Sequence, residues 1–216
     1  MVGFALPGLA AIFLAPVWDF PATDSSAESI SAYVRDHLDE LRAGVLVNSI
    51  GVTLWGVFGA GIWLRLRRAE GGETLWSACF IAGVSSLVTL LLAGFTAFLV
   101  LAYREAPVSD ARLLYDLAFG LLAMSALPTA VALGAYARLT FKGGDLPTWT
   151  AALAAVGAAA HLLLLLSFVV GSGFFSLEGD VIAVIPATLF FWVLGTGVAL
   201  LRGDGGGNAN RPRQTA

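Results

Sequence analysis

Three side chains stand out because they are polar and lie inside long apolar runs: Asn48, Asp116 and His161. An ionisable group in hydrocarbon costs several kcal/mol unless it is paired or hydrated, so such groups face protein or water. An Asp116–His161 pair in a shared cavity could titrate and pass protons. Simpler roles compete with that one. Arg112 lies one helical turn before Asp116, and the two could form an i,i+4 ion pair at the mouth of a bundle. His161 could bond a carbonyl or hydroxyl on a neighbouring helix, and Asn48 could act as polar glue between helices.

Other membrane chemistries lack their residues. Bis-histidine haem needs two histidines in spans, and His37 lies in a polar segment. A retinal Schiff base needs a lysine in a span, and the only lysine is Lys142. A Ser–His intramembrane protease would want GxSG, of which Gly83-Val84-Ser85-Ser86 is a loose echo. HExxH and the P-loop are absent, and Gly195-x-Gly197 reads as packing. The single cysteine, Cys79, allows no internal disulfide and no cysteine zinc site. No catalytic, cofactor or metal set emerges, and the balance leans away from an enzyme.

Composition sets the class. The chain has 216 residues, 58% of them hydrophobic and 12% charged, with mean hydropathy +0.83. Soluble domains are about 25% charged. Several apolar runs reach the roughly 20 residues that about 30 Å of hydrocarbon requires. The expected fold is all-α: a polytopic membrane protein, one six-helix transmembrane bundle over 1–201. Its partners are the lipid bilayer and either another protein or a second copy. A net charge of −3 and the lack of a long basic run give no reason to expect nucleic acid.

The expected spans are 3–18, 44–64, 75–103, 113–141, 149–170 and 181–201. The first is read as a retained helix rather than a signal peptide, because it has no basic leader and no small-x-small cleavage site. Between the first two, Ser25-Ser26-Ala27-Glu28 fits a capping box. Ile30, Val34, Leu38 and Leu41 then recur at helical spacing. An amphipathic helix over about 25–42 is expected on the outer face, apolar side down, as a cover for the bundle or a lid over a site. The glycine-rich segment 69–73 reads as a flexible loop, and the tail, 202–216, as a disordered cytoplasmic segment. Pro128 and Pro186 are isolated breaks, and no internal repeat is visible.

Charge sets the expected orientation. With a cytoplasmic N-terminus, Arg65, Arg67, Arg68, Arg138, Lys142, Arg202, Arg211 and Arg213 fall inside, against Arg35, Arg42, Arg104 and Arg112 outside. The positive-inside rule then favours a multi-pass protein of the cell membrane with both termini in the cytoplasm. Trp63, Trp76 and Trp149 fall at the inner interface.

At 100° per residue, each polar residue shares its stripe with small ones. Asp116 aligns with Gly120, Ala123, Ala130, Gly134 and Ala137, while Leu114, Leu121, Leu122, Met124 and Leu133 lie off that stripe. His161 aligns with Thr150, Ala154, Gly157 and Ala158. Asn48 aligns with Gly44, Gly51, Trp55 and Gly59. Small residues allow close helix approach, so all three polar groups are expected to point inward. Asp116 lies near the outer end and His161 about three turns in, so no direct bond between them is expected.

The layout also resembles a known family. The carrying motifs run from Asp24 to Tyr33, through Arg65-x-Arg67-Arg68, Asp116 to Leu121 and Ala126-Leu127-Pro128, to the Leu146-Pro147-x-Trp149 turn. Together they resemble small six-helix integral membrane proteins of bacteria and archaea classed only as a domain of unknown function. The resemblance implies a six-helix bundle and supplies no activity, ligand or catalytic residue. Two functional readings follow: a non-enzymatic partner, scaffold or sensor, or a small-solute or proton-coupled transporter using Asn48, Asp116 and His161.

Overall fold

The computed structural model describes residues 20–22, 24–70, 75–103, 107–143, 146–170, 173–177 and 180–206. Those residues form helices α1 (Ala27–Asp36), α2 (Leu38–Glu70), α3 (Leu75–Tyr103), α4 (Val108–Met124), α5 (Ala126–Phe141), α6 (Thr148–Leu164) and α7 (Val181–Gly206). A short 3-10 turn, Leu165–Phe168, extends α6. Among the described residues, five segments are long and apolar enough to cross a membrane: α2, α3, the α4–α5 pair, α6 with its 3-10 turn, and Val184–Arg202 of α7. The expected span 3–18 lies outside the described residues.

Helices start and stop away from several expected boundaries. The capping serine is Ser26 rather than Ser25: its hydroxyl accepts from the Ser29 amide at 3.2 Å. The amphipathic helix ends at Asp36, and His37 breaks the chain direction. Leu38 and Leu41 therefore belong to α2, which starts before the expected span and runs on through Ala69 and Glu70, both expected in a loop. The fourth span opens at Val108. α7 continues through Gly206, so 202–206 are helical rather than part of a disordered tail. Residues 207–216 lie outside the described residues.

The expected span 113–141 is two helices meeting at Ser125. Pro128 has no amide hydrogen, so Met124 loses its α-helical donor and the ring crowds that carbonyl. Placing Pro128 in the first turn of a new helix removes the conflict. Ser125 holds the joint: its amide donates to Leu121 O at 3.1 Å, its hydroxyl to Leu122 O at 2.6 Å, and the Thr129 hydroxyl donates to Ser125 O at 2.7 Å.

α3 is central, packing on α2, α4 and α5, while α6 packs between α5 and α7. The α3–α5 crossing is close. A Cβ added to Gly83 would lie 2.7 Å from Pro128 O and 2.9 Å from Ala132 N. α2 holds both ends of α3. The Glu70 carboxylate accepts from the amides of Trp76 at 2.9 Å and Ser77 at 3.1 Å. Arg42 donates to Ala102 O at 3.2 Å. An anion thus meets the N-terminus of α3 and a cation its C-terminus, complementing the helix dipole.

Among the described residues, two large apolar cores lie along the bundle, with a small third one of Ala126, Leu164, Val181 and Ile185. Near α1, Ile30 and Val34 pack with Leu41, Phe98, Leu101, Ala111 and Tyr115. The apolar side of α1 thus rests on the bundle itself, chiefly on α4. Toward the arginine-rich end of α2, the Trp55, Phe58, Phe80, Tyr136, Phe190 and Trp192 rings interlock across α2, α3, α5 and α7. At that end Arg67 lies over Trp63 and Arg138 over Trp76, with centroid distances of 5.6 and 5.0 Å.

Candidate functional site

The three polar residues are not brought together, and no bond joins any two of them among the described residues. Asp116 does not point inward. Its side chain is 47% exposed, and Arg112 Nε lies 3.6 Å from its Oδ2. Arg112 also reaches Ser25 O at 3.4 Å, tying the pair to the approach to α1. The interior face of α4 is Ala111, Tyr115 and Ala118, centred about 130° from Asp116. The close approach on that face is Gly94 to the Ala118 carbonyl, where an added Cβ would lie 3.1 Å away. Nothing lies within 4 Å of a Cβ added at Gly120 or Gly134. Ala123 and, beyond the Ser125 joint, Ala130 and Ala137 are buried as expected, but so is Leu133, expected off the stripe.

On α6 the expected face is the buried one: Thr150, Ala154, Gly157 and His161 are all inside. The Nδ1 of His161 lies 2.8 Å from Gly157 O. A carbonyl only accepts, so Nδ1 carries the hydrogen, and in a neutral ring Nε2 is left as an acceptor. The partner is one turn back on the same helix rather than on a neighbour. Asn48 behaves alike. It is half-buried beside buried Gly44, Gly51, Trp55 and Gly59, and its Nδ2 donates to Gly44 O at 3.0 Å. Both groups satisfy themselves locally.

Ser85 and Ser86, in the loose GxSG echo, are exposed. Among the described residues no group of three or more His, Cys, Asp or Glu side chains could hold a metal ion.

The densest buried polar group lies elsewhere, near the α5–α6 turn. The Tyr136 hydroxyl lies 2.7 Å from Thr150 Oγ1, and Thr150 donates its single hydroxyl hydrogen to Pro147 O at 2.7 Å. Tyr136 is therefore the donor to Thr150. Thr140, Thr196 and the Trp192 indole also gather around the Tyr136 hydroxyl. Thr140 lies one turn along α5 from Tyr136. Thr196 lies one turn along α7 from Trp192, whose ring meets Tyr136 edge-on at 5.0 Å. The signal available in the sequence was the repeated aromatic-x-x-x-Thr spacing, Tyr136 to Thr140 and Trp192 to Thr196.

The fold and these positions define a multi-pass helical membrane bundle. Comparison with protein-family models, curated proteins and solved structures finds no match to the chain.

Proposed function

We propose that this protein is a non-enzymatic membrane component that acts as a partner or scaffold. The observation supporting it is the dispersal of its candidate chemical groups. Asp116 pairs with Arg112 outside the interior, while Asn48 and His161 each bond a carbonyl one turn back on their own helix. A proton- or solute-coupled carrier would want these groups along one path, and their separation favours the scaffold reading.

The arrangement in the membrane belongs to the same proposal. Span 3–18 would enter at the α1 end, because Phe20 packs there against Tyr33, Phe98 and Phe119. Tyr115 donates to Pro21 O at the same end. Six spans then put both termini on the arginine-rich side, which the charge rule makes cytoplasmic. A cysteine placed at Gly71 should resist membrane-impermeant label in intact cells, and labelling from outside would reverse the orientation.

The functional reading is tested by flux. Purified protein in liposomes under an imposed pH gradient should leak protons no faster than protein-free liposomes. A leak that His161→Ala abolishes, with the protein still folded, would overturn the proposal in favour of a carrier. For a scaffold, a photo-crosslinker at the exposed Leu46 or Val57 of α2 should give one discrete protein adduct in cells. Lipid adducts alone would count against it.

A further inference from the structure

Buried polar groups in folded proteins are almost always hydrogen-bonded. Thr140 Oγ1, Thr196 Oγ1 and Trp192 Nε1 are buried and have no partner at hydrogen-bond geometry among the described residues. The three residues are 1%, 0% and 3% exposed. All three converge on one oxygen, the Tyr136 hydroxyl.

The two threonines depart from the habit of four others. Thr53, Thr89, Thr96 and Thr129 each donate to the carbonyl four residues back, the usual way a helical threonine hides its hydroxyl in an apolar setting. Thr140 and Thr196 leave that carbonyl unused and turn toward the Tyr136–Trp192 contact.

We infer that this cluster is a binding site for a buried water molecule joining α5 to α7. The hydrogen inventory fits. Tyr136 gives its proton to Thr150, so its oxygen is left as an acceptor. Trp192 Nε1 offers only a hydrogen, and each threonine hydroxyl offers a hydrogen and lone pairs. A water accepting from Trp192 and one threonine, and donating to Tyr136 and the other, gives each of the four atoms a partner. Buried waters make about 2–4 such bonds. The five side chains of the group carry no formal charge, so an ion would meet no counter-charge, and burying an unpaired charge is far more costly than burying water. The ligand is therefore neutral.

The test is radiolytic footprinting of the purified full chain, in which X-rays convert bound water to hydroxyl radical that oxidises adjacent rings. Tyr136 and Trp192 should be oxidised well above Tyr115. Tyr115 is just as buried, and its hydroxyl is already taken by Pro21 O. Oxidation of Tyr136 and Trp192 no greater than that of Tyr115 would overturn the inference, and this measurement needs no variant. The second arm is the Thr140→Val, Thr196→Val double variant, which keeps shape and removes both hydroxyls. It should lose the excess oxidation and lower the thermal midpoint by about 2–4 °C. An unchanged or raised midpoint would mean that the hydroxyls were dry and unpaired, and would also overturn it.

Discussion

The Arg112–Asp116 pair shows how little a charged residue in an apolar run need imply. Both side chains are about half exposed, and exposed i,i+4 pairs contribute roughly 0.3–0.5 kcal/mol. Asp116→Asn should therefore shift unfolding by less than about 1 kcal/mol in a denaturant titration of the purified protein. A loss several times larger would place the carboxylate in the interior after all. Glu70 is the opposite case. It lies at a helix end beside a glycine-rich run, yet both of its oxygens accept amides of α3. Losing a capping carboxylate costs about 1 kcal/mol. Glu70→Ala should show that loss, with faster amide exchange at Trp76 and Ser77 while mid-helix amides of α3 stay protected. Sequence periodicity could not reveal Glu70, because its role depends on how the chain turns between α2 and α3.

Among the helices, the small-residue stripe held on α2 and α6 and only in part on the α4–α5 pair, where Ala123, Ala130 and Ala137 are buried and Asp116 is exposed. On α2 and α6 the stripe residues meet neighbours: Gly59 faces Val84, and Gly157 faces Leu133. On the α4–α5 pair both glycines, Gly120 and Gly134, face open space while the alanines of the stripe are buried, so size alone does not mark the packed face. The Ser125 joint, which Pro128 demands, then widens the buried face to take in Leu133. The same distinction ranks three substitutions. Gly83→Ala drives a methyl into the backbone of Pro128 and Ala132, which cannot swing aside, and should cost about 1–3 kcal/mol. Gly157→Ala meets only the end of the Leu133 side chain and should cost less. Gly61→Ala meets nothing within 4 Å and should be neutral or stabilising by up to about 1 kcal/mol. Thermal midpoints of the three variants should rise in that order, and a Gly83→Ala protein as stable as Gly61→Ala would contradict the α3–α5 contact.

The membrane class of the whole molecule was legible because length and hydropathy are summed over many residues and survive local errors. The polar cluster around Tyr136 left only the aromatic-x-x-x-Thr spacing as a trace, since its members come from three helices and hydroxyls are common in spans. α1 was legible as a helix, whereas its resting place depended on which helices met beneath it. Ile30 is fully buried there, so Ile30→Ala should speed amide exchange throughout 27–36 and leave α5 to α7 unchanged. A uniform rise across the bundle would show that α1 is not a separate cover. The clasps of α2 on α3 set a length as well as a register. Arg42 and Glu70 are about 42 Å apart along a helix rising 1.5 Å per residue. That matches the thickness of a bilayer from headgroup to headgroup, about 40–45 Å, rather than its hydrocarbon alone. The hairpin thus carries its own gauge of membrane thickness. In a thinner bilayer its two helices must lean over together, because sliding one past the other would release a charge at each end.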